Sequence, residues 1–285
     1  MDLTGFSFAL LAAFFWAASQ VFGKLAIEYL APLTFNTIRY ASAFLVSVPL
    51  LHFTVGIGAY ALPLLFTAFL TAVIGWYVGG QLYFVAMRSS PAHLVIPAGN
   101  SYPFWSIIMA AAFLGESVGW ASPLAACMIL GGSVLLLRSD GKEDGWRKGV
   151  VISMFVAIIW GIKSVLNKFT IAAGMSPSDL MLYMLVAATF LFSSSLAVVS
   201  PRGSRINRRS VSLALASGIL AFPAGEMLYL KAMELERVAA LTPLMSTTIL
   251  FGFILSVLMV RERPTIRAVI GMILVFAGVL VAAGG

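Results

Sequence analysis

Apolar blocks of roughly 20 residues follow one another along the whole chain, divided only by short polar or Gly/Pro-containing stretches. Twenty residues of α-helix rise about 30 Å, the thickness of the hydrocarbon core of a bilayer. The pattern predicts ten spans, at residues 5–28, 33–53, 61–87, 92–114, 120–138, 149–171, 178–199, 210–233, 238–260 and 265–283. The breaks between them include Ala31-Pro32, Gly56-Ile57-Gly58, Ser89-Ser90-Pro91, Gly115-Glu116, Met175-Ser176-Pro177 and Arg263-Pro264. Lipid offers backbone N–H and C=O groups no partner, so each span must be a helix that satisfies them internally. The predicted fold class is an all-α membrane protein with ten transmembrane helices.

The pattern also repeats. At a constant offset, Ala13, Trp16, Val21, Lys24 and Ile27 recur as Ala157, Trp160, Val165, Lys168 and Ile171. Leu82-Tyr83 and Ala86-Met87 return as Leu228-Tyr229 and Ala232-Met233, and Pro97 with Glu116 as Pro243 with Glu262. Five spans are copied in order. Because five is odd, the second copy enters the membrane in the opposite orientation, giving an inverted repeat of the kind found in alternating-access carriers. The expected organisation is a first five-helix repeat at 1–138, a cytoplasmic linker at 139–148 and a second repeat at 149–285.

Composition narrows the class. Hydrophobic residues are 61% of the 285 and charged ones 10%, against about 25% charged in soluble domains, so no soluble domain fits between the spans. The first block lacks a preceding basic residue and a cleavage site, so Met1 is expected to stay. A formal charge of +7 invites a nucleic-acid partner, but the loop cations are placed by topology. Twelve sit in odd-numbered loops (Arg88, Arg138, Lys142, Arg147, Lys148, Arg202, Arg205, Arg208, Arg209, Arg261, Arg263, Arg267), while Asp2, Glu116, Asp179, Glu234, Glu236 and the single cation Arg237 lie on the other side. The positive-inside rule puts both termini outside the cytoplasm of a multi-pass cell (inner) membrane protein. The predicted partners are the lipid bilayer and a small-molecule substrate, with no nucleic acid. Cys127, the sole cysteine, allows neither an intrachain disulfide nor a cysteine metal site.

Helical spacing gathers polar and aromatic groups. Trp16, Ser19, Gln20 and Gly23 occupy i, i+3, i+4 and i+7, as do Trp160, Lys163, Ser164 and Asn167, and Trp76, Gly79, Gly80 and Tyr83; Phe222, Glu226 and Tyr229 follow the same period. Each set falls on one helix face. Two readings are open: a central cavity whose aromatic walls and few polar groups suit a small organic substrate, or helix contacts made through small residues such as Gly75 and Gly79.

A charged side chain at mid-bilayer costs about 2.5–3.5 kcal/mol on insertion scales, so each needs a partner or a task. Counted from the cytoplasmic end, Lys163 and Glu226 lie at nearly equal depth in parallel spans, which fits a buried pair. Either Lys163 receives an anionic substrate group or Glu226 exchanges a proton, or the pair is a structural brace between two helices. Lys24 and Arg39 lie a turn or two inside their cytoplasmic ends, where snorkelling accounts for both, with closure of an inner gate against a helix end as the alternative for Arg39; Lys24 also has Glu28 at i+4. Asn100 and Ser246 follow Pro97 and Pro243, where bent helices expose polar backbone. His52 and His93 lie near span ends without nearby ligand types, so no metal is expected. No Walker-type loop and no Ser/His/Asp constellation is present, so neither an ATPase nor a hydrolase is indicated.

Taken together, the ten spans in two fives, the Trp-x7-Lys helix opening each half, Asn36-Thr37-Ile38-Arg39-Tyr40, and the runs from Pro97 to Glu116 and from Pro243 to Arg261-Glu262 resemble the EamA-type carriers of the drug/metabolite transporter superfamily. The resemblance covers the whole chain. It implies a polytopic carrier moving small metabolites, amino acids or drugs through a cavity between the halves, often outward, and Arg39 matches the family's arginine position. The related small multidrug exporters carry a membrane-embedded glutamate in their first helix, whereas here that helix offers only Glu28 near its end. The expected function is therefore secondary transport, without enzymatic activity or cofactor, of an amino acid or organic-anion-like solute by a monomer. The candidate substrate-binding residues are Trp16, Gln20, Arg39, Trp76, Tyr83, Asn100, Trp160, Lys163, Ser164, Glu226 and Tyr229. Proton-coupled export of drugs or cations through Glu226, or a channel or lipid scramblase, are the alternatives.

Overall fold

The computed structural model describes residues 3–115, 121–138, 146–199, 201–236, 241 and 244–284. Asp2, Glu116, Lys142, Arg237 and Pro243, which enter the sequence reading, lie outside the described residues. The regular elements described are helices: α1 (Leu3–Ile27), α2 (Pro32–Thr54), α3 (Leu62–Ser89), α4 (Ala92–Gly99), α5 (Tyr102–Leu114), α6 (Ser122–Leu137), α7 (Trp146–Ala172), α8 (Pro177–Val198), α9 (Arg208–Leu235), α10 (Thr247–Val260) and α11 (Ile266–Gly284). Helix α7 thus begins inside the stretch expected to be linker.

Local chemistry sets these boundaries. Pro32 and Pro177 occupy the first turns of α2 and α8, where a missing N–H costs nothing. Ser176 accepts from Asp179 N at 3.2 Å, and Asn207 with Ser210 forms a capping box at α9. The expected span 92–114 is broken into α4 and α5. Gly99 ends the first piece, Asn100 folds its Nδ2 back to Ile96 O at 2.9 Å, and Pro103 restarts the helix in the first turn of α5.

Among the described residues, five helices, α1, α3, α8, α9 and residues 147–172 of α7, are long and apolar enough to cross a membrane; the apolar stretches in α6, α10 and α11 are shorter. Large apolar side chains point outward, among them Phe53, Phe113, Phe190 and Leu258, each more than two-thirds exposed. Water would penalise such a surface and a bilayer would not.

Contacts recur in pairs that exchange the two halves. Trp16 Nε1 donates to Ala221 O at 3.0 Å and its repeat mate Trp160 to Gly75 O at 3.1 Å. Lys24 Nζ donates to Met87 O and Ser90 O, and Lys168 Nζ to Met233 O and Glu236 O, all within 2.9 Å. At the interface of α6 and α11, a Cβ on Gly132 would fall 2.7 Å from Gly271 O, and one on the mate Gly278 3.1 Å from Ala125 O. Loops follow the same rule: Ala31 N donates to Ser204 Oγ at 3.0 Å at one end of the molecule, and Ser176 N to Tyr60 OH at 3.1 Å at the other. Ser204 Oγ passes its own hydrogen to Thr34 Oγ1, as Tyr60 OH does to Asp179 Oδ2. A twofold relation between the halves produces this exchange.

Candidate functional site

Both α3 and α9 contain a π-helical segment beside the cavity, Ala72–Gly79 and Leu220–Glu226, and a third, Ser256–Val260, ends α10 away from it. Such wide turns loosen the backbone ladder and concentrate at functional sites. The indole acceptors Gly75 O and Ala221 O lie inside these segments. Each tryptophan therefore ties its own half to a widened turn of the other. Between them lies a cavity of about 70 Å³ lined from α1, α2, α3, α7, α9, the Asn100 break and the start of α5.

All eleven candidate residues line this one cavity: Trp16, Gln20, Arg39, Trp76, Tyr83, Asn100, Trp160, Lys163, Ser164, Glu226 and Tyr229. On one side Gln20 and Asn100 exchange amide hydrogen bonds at 2.9 and 3.2 Å, and Tyr83 OH donates to Gln20 Oε1 at 2.9 Å. On the other, Ser164 Oγ and Tyr229 OH share a 2.8 Å hydrogen bond between the repeat mates of Gln20 and Tyr83. Trp16 meets Tyr229 at a ring distance of 4.8 Å, and Trp160 meets Tyr83 at 4.9 Å. The mates Trp76 and Phe222 contact each other at 4.6 Å, and Tyr102 stands 6.3 and 6.2 Å from Trp16 and Trp160. These last contacts lie where the two halves meet.

Charge breaks the symmetry. Lys163 Nζ donates to Glu226 Oε1 at 2.5 Å, the buried pair that equal depth implied. The repeat mates of these residues are Ser19 and Gly80, so only the second half carries the pair. The lysine stem runs over Gly75, where a Cβ would stand 2.5 Å from Lys163 Cγ. Gly75 thus serves helix approach and cavity wall together. Arg39 does not snorkel to the interface: it is buried, 4.8 Å from the Phe222 centroid and 5.0 Å from that of Phe84. Its guanidinium reaches Ser19 Oγ at 3.3 Å, its Nε has no hydrogen-bond partner, and it pairs with no carboxylate among the described residues. Helix α2 buries this face against α9, so distance from the helix end did not decide where the side chain goes.

Not every residue of the predicted stripes faces the cavity. Ser19 turns to Ser217 on α9, with Oγ 2.8 Å from Ser217 O. Gly23 is covered by Phe84 and Phe35, and Asn167 is buried outside the cavity lining. The wall also holds Tyr40, Phe84 and Tyr102. Tyr40 neighbours Arg39 in sequence and was findable, whereas Tyr102 follows a helix break that erases the period. Lys24 bonds the end of α3 rather than the interface.

A second polar cluster lies apart. Glu262 accepts from Ala92 N at 2.6 Å and His93 N at 2.8 Å, and its Oε2 meets His93 Nδ1 at 2.7 Å, capping α4. Burial pushes this carboxyl up, but the hydrogen bonds from the His93 ring and the two backbone amides outweigh it and hold Glu262 below its ordinary value. The sequence separation of 169 residues hid this partner of His93.

Comparison with known proteins gives this arrangement a family. The EamA-like transporter family matches residues 3–138 and again residues 147–284. A relative named "Uncharacterized transporter", from Archaeoglobus fulgidus, is 21% identical over 214 residues, 74% of this chain and 73% of its own length. A protein of known crystal structure superposes over 99% of this chain and 97% of its own with a TM-score of 0.70 at 17% identity, a likeness of fold. With matches over both halves, the chain belongs to the EamA-like transporter family and is an integral multi-pass membrane transporter.

Proposed function

We propose that the protein is a secondary active transporter that carries a small carboxylate-bearing metabolite, an amino acid or organic anion, by alternating access through the central cavity. Ten spans form two inverted five-helix halves, joined by a linker that ends where α7 begins at Trp146, within one monomer. Both termini lie outside the cytoplasm of the cell membrane, and transport runs outward. No cofactor takes part, and energy comes from a gradient or from exchange.

The observation that carries this reading is the charge inventory. Arg39 and Lys163 face the cavity against one carboxylate, Glu226, which Lys163 already engages. Arg39 is left as a buried cation with unfilled donors in an aromatic surround, an environment that an incoming anion relieves. A carboxylate can accept from Arg39 while the substrate's body stacks on the aromatic walls and Gln20, Asn100 and Ser164 orient it. At about 70 Å³ the cavity has room for a few waters, well short of the 300–1,000 Å³ typical of ligand sites. Loading therefore needs the halves to part, as a rocking mechanism requires.

The test is a thermal-shift screen of purified protein against amino acids, organic anions and organic cations. A ligand at a hundred times its Kd stabilises by about 2.7 kcal/mol. Anions are expected to stabilise the wild-type chain and not Arg39→Met. Stabilisation by cations alone, abolished by Glu226→Gln, would move the assignment to drug or cation export.

A further inference from the structure

The space on either side of the central cavity differs. At the end of the molecule that carries the 55–61 loop, α2 stands off from α9 around a recess of about 410 Å³, lined also by α8, whose lining includes Ser47, Leu50, Met181, Pro223 and Met227. The repeat assigns these five residues mates at the opposite end: Phe192, Ser195, Asn36, Tyr77 and Gln81. There the helices are stitched together. Asn36 Nδ2 donates to Gln81 Oε1 at 2.9 Å, Tyr77 OH and Ser195 Oγ share a 2.6 Å hydrogen bond, and Thr37 Oγ1 reaches Phe192 O at 3.3 Å. The hydrogen bonds thus join α2 to α3, α3 to α8, and α2 to α8.

Sequence dictates the difference. Met181 and Met227 stand where the other end has Asn36 and Gln81, and Leu50 and Pro223 where it has Ser195 and Tyr77. None of these four side chains makes an amide or hydroxyl hydrogen bond. Contacts between loops do not distinguish the ends, because the Ser204 and Tyr60 contacts occur at both.

We infer that Asn36–Gln81 and Tyr77–Ser195 form a polar gate at the end carrying the basic 202–209 loop, shut here while the recess stands open, and that Leu50, Pro223 and Met227 form its apolar counterpart. The inference rests on the alternating-access reading above. In a carrier built from inverted repeats, the two ends exchange states when the halves rock. The polar gate closes by directional hydrogen bonds, lost once the helices separate by more than about 3.5 Å. The apolar gate closes by burying Leu50 and Met227 surface as the recess collapses; Met181 is already buried. Tyr77 and Pro223 occupy matching places in the π-helical segments of α3 and α9, where a helix can flex without breaking a regular ladder.

Disulfide cross-linking in proteoliposomes tests this without a substrate. The sole cysteine, Cys127, is exposed and is first removed by Cys127→Ser. Asn36→Cys with Gln81→Cys is expected to cross-link fast, and Leu50→Cys with Pro223→Cys, across the recess, slowly. Adding Tyr77→Phe to the Leu50 and Pro223 cysteine pair deletes one hydrogen bond at the other end and is expected to raise its cross-linking rate about fivefold; Ser195→Ala should do the same. If neither variant changes that rate in chains that keep the parent's thermal stability, the gate assignment is wrong. Equally fast cross-linking of both pairs in the parent chain also overturns it, because neither end would then be open. Either failure leaves the anion reading to be judged by its own ligand-stabilisation test.

Discussion

Glu226→Gln strands Lys163 at the centre of the protein. The two groups lie 2.5 Å apart, and with exposures of 6% for the lysine and 2% for the glutamate neither recovers hydration by turning outward. Unit charges at that distance attract by roughly 7 kcal/mol at an effective dielectric of 20. Desolvation of both ions offsets much of this, yet removing one partner of a buried pair still costs about 3–5 kcal/mol. Arg39 adds to the cost, because the cavity would then hold two cations and no anion. The rings of Trp16 and Trp76, each 5.6 Å from Nζ, return roughly 1–2 kcal/mol. A net loss of about 3 kcal/mol lowers Tm by roughly 6–12 °C in a chain of this size, readable by tryptophan fluorescence in detergent. The double variant Lys163→Met with Glu226→Met is expected to regain wild-type stability within about 1 kcal/mol while transporting nothing. A single variant as stable as wild type refutes the electrostatic reasoning. A double variant that transports normally makes the pair a brace and nothing more.

Three further predictions follow from the same contacts. Arg39→Met should leave stability within about 1 kcal/mol of wild type or raise it, since it removes an unpaired buried cation, while anion uptake falls at least tenfold for want of charged hydrogen bonds; a loss of more than about 2 kcal/mol contradicts this. Lys24→Met and Lys168→Met should destabilise by similar amounts, about 3 kcal/mol each, because each removes two bonds from a charged donor to carbonyls at the end of α3 or α9. Glu262 ionises more readily in the folded chain than at the ordinary value of 4.5, so its stabilisation is full above pH 4.5 and is lost as pH falls through the lower folded value. Wild-type Tm should therefore drop more steeply below pH 4.5 than that of Glu262→Gln, and parallel curves would refute the cap.

Much of the site was legible because side-chain period and chain doubling are both written in the sequence. Trp16 and Trp160 recur on polar stripes and make matching indole bonds across the two halves; equal helical depth was enough to pair Lys163 with Glu226. Arg39 was harder. Counting residues from a helix end suggests an escape to the interface, but packing of α2 on α9 takes the side chain inward, and packing between distant segments leaves no local pattern. The two π-helical turns beside the cavity share an aromatic residue and a glycine, Trp76 and Gly79 against Phe222 and Gly225, a pair too common among apolar helices to mark a wide turn in sequence. Asn100 was placed by its proline, yet the full break at Asn100 and Ser101 owes as much to Gly99 and Pro103. A repeat predicts two like ends, so the open recess at Leu50 and Pro223 against the joined Ser195 and Tyr77 appears only in three dimensions.

Counterflow in proteoliposomes tests the central claim most directly. Vesicles preloaded with a mixture of amino acids and monocarboxylates are diluted into trace labelled solute, and uptake is followed against concentration. A carrier with one cavity shared by two halves gives transient, saturable accumulation that Arg39→Met abolishes and that the disulfide between Asn36→Cys and Gln81→Cys blocks until it is reduced. Flux that rises linearly with concentration, without overshoot and indifferent to that disulfide, would contradict the account.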